Sequence, residues 1–129
     1  MLNENYMKIA TILPYKENYT ISKAQAAAIW VCDFFKYSKY KNNNFIFGNT
    51  KSKDYLTKNY INIDINNLKS KFTSSTKEYC NNFIIKTKKE HFDIIEIHNR
   101  PLVFNFLKKQ INSKFILYFH NDPISMNGS

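Results

Sequence analysis

The chain has 129 residues, 43% of them hydrophobic, enough for one domain with a single core and too few for two. No apolar run reaches the length of a membrane span or resembles a secretory leader, which predicts a soluble, unprocessed cytoplasmic protein. The net charge is +9, yet Arg100 is the only arginine among 19 basic residues; diffuse lysine charge suits peripheral attraction to an anionic membrane at its inner face, or to a phosphorylated lipid, better than the bidentate contacts that read nucleic acid, and no nucleic-acid partner is expected.

Residues 1–6 are polar and aperiodic and are expected to be a disordered extension, leaving 7–129 as one incomplete domain. Residues 8–13, ended by Pro14, read as a strand buried on both faces. A polar loop over 15–21 follows. Ser22 with Gln25 makes a capping box, predicting a helix through Ala24, Ala27, Ala28, Val31, Phe34 and Phe35 whose alanine-rich start can lie close to a backbone or a ligand. Residues 44–48 read as a second strand and 49–59 as a lysine-rich loop, while Ile61-Asn62-Ile63-Asp64-Ile65 alternates as a half-exposed edge strand does. Ser75 with Glu78 makes a second capping box, ahead of a helix that carries Tyr79, Phe83, Ile84 and Thr87 on one face and stops near His91, where an imidazole complements the helix dipole. Residues 93–97 are a strand, Pro101 opens a helix to Gln110, and 115–119 are a continuous apolar strand.

Strands that alternate with helices predict right-handed crossovers and an α/β fold, a doubly wound parallel sheet with helices on both faces. Cys32 and Cys80 lie far apart with no zinc-type spacing and are expected to be reduced core residues. The chain stops a few residues after the last strand, where such a sheet normally continues, so a truncated domain is expected.

In an open parallel sheet, ligands bind beyond the carboxyl ends of the strands, near the point where strand order reverses. That rule selects Tyr15, Lys16 and Glu17 after the first strand, His98, Asn99 and Arg100 after the fourth, and His120, Asn121 and Asp122 after the fifth. The two histidines could cap strand ends, bind a metal with Asp122, or transfer protons and bind substrate hydroxyls with Asp122 or Glu17 orienting an imidazole. Lys16 and Arg100 are candidates for holding a phosphate or a sugar acid. The start of the first helix lacks the glycines of a phosphate-cradling loop, so no Walker or dinucleotide fingerprint is assigned.

Three segments, Met7-Lys8-Ile9-Ala10-Thr11-Ile12-Leu13-Pro14, Phe92-Asp93-Ile94-Ile95-Glu96-Ile97-His98-Asn99-Arg100-Pro101 and Phe119-His120-Asn121-Asp122-Pro123, resemble the N-terminal, acceptor-side domain of glycosyltransferase family 4, a GT-B fold group. The resemblance implies a Rossmann-like domain that helps move a sugar from a nucleotide-sugar donor to a saccharide or lipid-linked acceptor in lipopolysaccharide or polysaccharide biosynthesis. It implies catalytic roles for His120 and Asp122 and substrate contacts for Tyr15, Lys16, Glu17, His98, Asn99, Arg100 and Asn121, with no cofactor and no metal. The glycine pair usual in that family's first loop is absent here. The family's second Rossmann-like domain, which carries most nucleotide contacts, is not in this chain, which alone is expected to be inactive. The alternative is a nonenzymatic Rossmann-like binding or regulatory module.

Overall fold

The computed structural model describes residues 7–65 and 74–120. Five strands, β1 (Ile9–Ile12), β2 (Asn44–Gly48), β3 (Tyr60–Asn62), β4 (Ile94–His98) and β5 (Lys114–Tyr118), form one sheet in the order β3-β2-β1-β4-β5. All four pairings are parallel. The helices are α1 (Ala26–Tyr37), α2 (Ser75–Lys86) and α3 (Pro101–Gln110). This is a Rossmann-like α/β architecture, and the order reverses between β1 and β4. None of these helices is long and apolar enough to cross a membrane.

Side chains alternate across the pleat and divide the core in two. Ala10 and Ile12, Phe45 and Phe47, Ile95 and Ile97, and Phe115 and Leu117 face α2 and α3, where they meet Tyr79, Phe83, Val103 and Leu107. Each fully buried Ile, Leu, Val or Phe among these contributes about 1.5–3 kcal/mol. On the other face Leu13, Ile46 and Tyr60 pack with Ala28, Val31 and Cys32 of α1. Both cysteines are free and buried.

Several boundaries differ from those read in the sequence. α1 begins at Ala26, four residues after the expected cap, because the stretch before it is bound to the 50–56 loop: Ile21 N–H donates to Asp54 O, Ser22 N–H to the Asp54 carboxylate and Leu56 N–H to Tyr19 O. The Ser22 and Gln25 capping box therefore does not form. In α2 the cap is Ser74, whose hydroxyl accepts the Lys77 N–H at 3.1 Å, one residue before the expected Ser75. That helix ends at Lys86, since the Thr87 hydroxyl donates to Phe83 O and the chain turns toward β4. His91 consequently lies beyond the helix dipole, exposed and 4.0 Å from Asp93. The edge strand is Tyr60–Asn62 rather than 61–65, and it buries Tyr60 against Tyr19 with ring centroids 5.3 Å apart. The expected N-terminal extension, residues 1–6, lies outside the described residues.

Candidate functional site

Register carries β4 and β5 to their carboxyl ends side by side, with His98 paired to Tyr118. His120 follows two residues later, and its Nε2 lies 2.7 Å from His98 Nδ1. The ring planes are 13° apart and the centroids 5.0 Å. With nitrogens so close, that separation means two rings edge to edge in nearly one plane rather than face to face. A proton bridges such a gap, whereas two imidazoles on one zinc ion, each about 2.0–2.1 Å from the metal, would hold their nitrogens roughly 3.3 Å apart. Among the described residues no group of three or more His, Cys, Asp or Glu is arranged to hold a metal ion.

The pair is held from two sides. Asn99 has a left-handed backbone, φ 59°, that a short amide side chain tolerates, and its Oδ1 accepts the His120 N–H at 2.6 Å. Its own N–H donates to Tyr118 O. From α1, the Trp30 indole stands 5.6 Å from His98 and 5.1 Å from His120, meeting the latter at 64°. His98 is wholly buried, whereas His120 is half-buried, and burial together with the neighbouring His98 holds the His120 pKa below the usual imidazole value.

Beneath His98 on the same face of the sheet runs a line of buried polar groups. Thr11 Oγ1 lies 3.0 Å from both Asn44 Oδ1 and Glu96 Oε1, and Glu96 Oε1 is 3.9 Å from His98 Nε2. His98 Nε2 is buried with no hydrogen-bond partner. A carboxylate in a central parallel strand is exceptional, because such strands are normally apolar on both faces.

In the first loop the Glu17 carboxylate is buried and accepts the Ala28 N–H at 2.7 Å, capping α1. Burial raises its pKa, against the opposing effects of the Ala28 and Ala27 amides and the nearby His98. The alanine-rich helix start thus lies close to a carboxylate of its own chain. Tyr15 packs on Tyr79, with centroids 5.8 Å apart, while Lys16, at φ 71°, is exposed with its ammonium 5.5 Å from the Tyr15 ring. Arg100 donates from Nη2 to the Thr76 hydroxyl, and its Nε is buried without a hydrogen-bond partner. Asn121 and Asp122 lie outside the described residues.

No known protein family, curated protein or solved structure matches the chain. The site must therefore be read from its own geometry. That geometry brings His98, Asn99 and His120 together, and it adds Glu96, Thr11, Trp30 and Tyr118, which the strand-end rule did not select. Glu96 alone carried a sequence signal, a charge inside the apolar run Ile94-Ile95-Glu96-Ile97.

An open hollow of about 470 Å³ lies on the outer side of α1, lined by Trp30, Asp33, Phe34, Tyr37 and Ser38. Trp30 and Phe34 stack there at 5.1 Å with planes 7° apart. Two other hollows, one bounded by Lys8, Phe45 and Phe92 and one by His91, Gln110 and Ser113, lie at the amino ends of the strands, away from His98 and His120.

Proposed function

We propose that the chain is the acceptor-side half of a two-domain glycosyltransferase. In this reading it binds the sugar or lipid-linked acceptor beside His120, while a second Rossmann-like domain supplies most contacts to the nucleotide-sugar donor. The carrying observation is the pairing of His98 with His120 at the adjoining ends of β4 and β5. A half-buried imidazole with a depressed pKa is neutral near pH 7 and able to accept a proton from a hydroxyl. The exposed faces of Trp30 and Phe34 next to it suit the C–H face of a saccharide, since an aromatic ring offers a large apolar surface at little entropic cost. Arg100 remains a candidate for an acidic group on either substrate. Asp122 and Asn121 belong to the proposal through the family resemblance alone.

The full-length protein with nucleotide-sugar donors and lipid-linked or free saccharide acceptors provides the test. His120→Ala should lower turnover by about 10²–10⁴-fold, the usual worth of a general base, with the fold intact. Unchanged turnover removes His120 from the reaction.

A second reading, a nonenzymatic Rossmann-like binding or regulatory module, is favoured by one feature: the amino end of α1, where a donor phosphate would approach, is already occupied by Glu17. Donor-dependent transfer by the full-length protein decides against it.

A further inference from the structure

The hydrogen bond between the two histidines fixes only that one proton lies between them; which nitrogens carry the others depends on what stands behind His98. We propose that Glu96 is a positioning residue that holds His98 with its proton on Nε2, so that His120 donates from Nε2 and presents an unprotonated Nδ1 as the proton acceptor of the site. The inference rests on three observations together. Glu96 Oε1 is 3.9 Å from His98 Nε2, and that nitrogen is buried with no other polar partner. A lone pair there would face the carboxylate oxygen across a buried gap, which is repulsive, whereas an N–H pointing at it is attractive. Once Nε2 of His98 holds the proton in the neutral ring, its Nδ1 is an acceptor, and the 2.7 Å contact requires His120 Nε2 to be the donor.

Glu96 is itself held in place. It is buried, and Thr11 Oγ1 lies within hydrogen-bond distance of its Oε1. The other groups that face the histidines are Tyr118 from β5, Glu17 from the loop before α1 and the uncharged indole of Trp30 from α1. Among these, Glu17 is committed to the helix amides, which leaves Glu96 as the carboxylate directed at His98 Nε2. The logic is that of a carboxylate that sets the tautomer of a catalytic imidazole, here acting through one additional ring.

Use of this arrangement in sugar transfer rests on the function proposed above; the protonation pattern does not. In the transfer step the acceptor hydroxyl gives its proton to His120 Nδ1. The oxygen keeps the electron pair and forms the new bond to the anomeric carbon, and the departing nucleotide takes the pair of the broken glycosyl bond. The resulting imidazolium is stabilised through His98 by the Glu96 charge.

Isotope-edited NMR of the imidazole nitrogens in this chain tests the proposal without any activity. The expected pattern is protonation at Nε2 in both His98 and His120, with Nδ1 of His120 bare. In Glu96→Gln the single pattern should give way to a mixture of tautomers, and the His120 titration midpoint should fall by roughly half a pH unit because the stabilising negative charge is gone. A proton on Nδ1 of His98 in the wild-type chain overturns the assignment. So does a Glu96→Gln protein with unchanged tautomers and midpoint. Should that variant not fold, the wild-type pattern still decides. If the NMR pattern is found and full-length His120→Ala retains turnover, the positioning role stands and the transferase reading falls.

Discussion

The Glu17 carboxylate accepts the Ala28 N–H at 2.7 Å, so α1 is capped by a side chain 11 residues upstream rather than by its own first turn. Gln25, at the cap position, makes no side-chain capping bond. Glu17→Ala should therefore cost about 1–2 kcal/mol, the range of a lost N-terminal cap, and denaturant unfolding measures it. A loss below a few tenths of a kcal/mol would mean that water replaces the carboxylate without penalty.

The same group makes stability depend on pH. Burial raises the Glu17 pKa above its ordinary value of 4.5, so the folded state holds this proton more tightly than the unfolded chain does. Its contribution is full below that ordinary value and is lost as pH rises through the raised one. Relative to Glu17→Gln, which cannot ionise, the wild-type chain should lose stability as pH rises above the ordinary value of 4.5 and through the raised one. A difference in melting temperature that stays flat across this window contradicts the shift.

Gly48 in β2 lies against the Tyr60 ring, and a Cβ at position 48 would meet the Tyr60 hydroxyl at 2.8 Å and Cε1 at 3.2 Å. That hydroxyl also lies 2.8 Å from Thr50 Oγ1, so moving the ring disturbs the bond that anchors the 50–56 loop. Gly48→Ala should cost about 1–3 kcal/mol, as overpacking does. Because removal of the hydroxyl relieves the closest clash, Gly48→Ala combined with Tyr60→Phe should cost less than the sum of the two changes; strict additivity would place the strain elsewhere.

The parallel sheet and its strand-end cluster were legible in the sequence because both follow from periodicity: apolar runs such as Phe115-Ile116-Leu117 alternate with helical spacing, and the topology then fixes which loops meet. Contacts across long stretches of chain were not. Nothing local in Ser22-Lys23-Ala24-Gln25 reveals that Asp54 takes the Ser22 N–H and prevents the helix from starting there. Likewise nothing in the sequence singles out Trp30, which is 39% exposed and stands over the two histidines. Glu96 was visible as a charge in a buried strand, but its direction toward His98 depends on the pleat and on Thr11 beside it.

Ile95 is 1% exposed in the middle of β4, paired to Ala10 on one side and Phe115 on the other. Ile95→Asp would bury a charge with no partner and should unfold the chain, at a cost of about 4 kcal/mol or more. Ile85, 70% exposed on α2, supplies the control: Ile85→Lys should change stability by less than about 0.5 kcal/mol. A folded Ile95→Asp protein, judged by circular dichroism and a cooperative melt, would refute the placement of β4 inside the sheet between β1 and β5.

Trp30 is the chain's single tryptophan, and its ring centroid is 5.1 Å from that of His120, so its fluorescence should report the charge on that imidazole. Neutral imidazole disturbs indole emission little, whereas imidazolium, a cation at the ring, interacts with it strongly and quenches it. Burial and His98 both lower the His120 pKa, so the quenching step should have its midpoint below the ordinary 6.5. The sign for stability follows from the same shift. The folded state disfavours the charged form, so this group's contribution is complete above about 6.5 and is lost as pH falls through the folded value. His120→Asn keeps a polar side chain that does not titrate, and it should remove the fluorescence step together with this part of the acid-induced loss of stability. A step that survives in His120→Asn belongs to another group, and a wild-type midpoint above 6.5 means that the Glu96 charge outweighs burial at the pair.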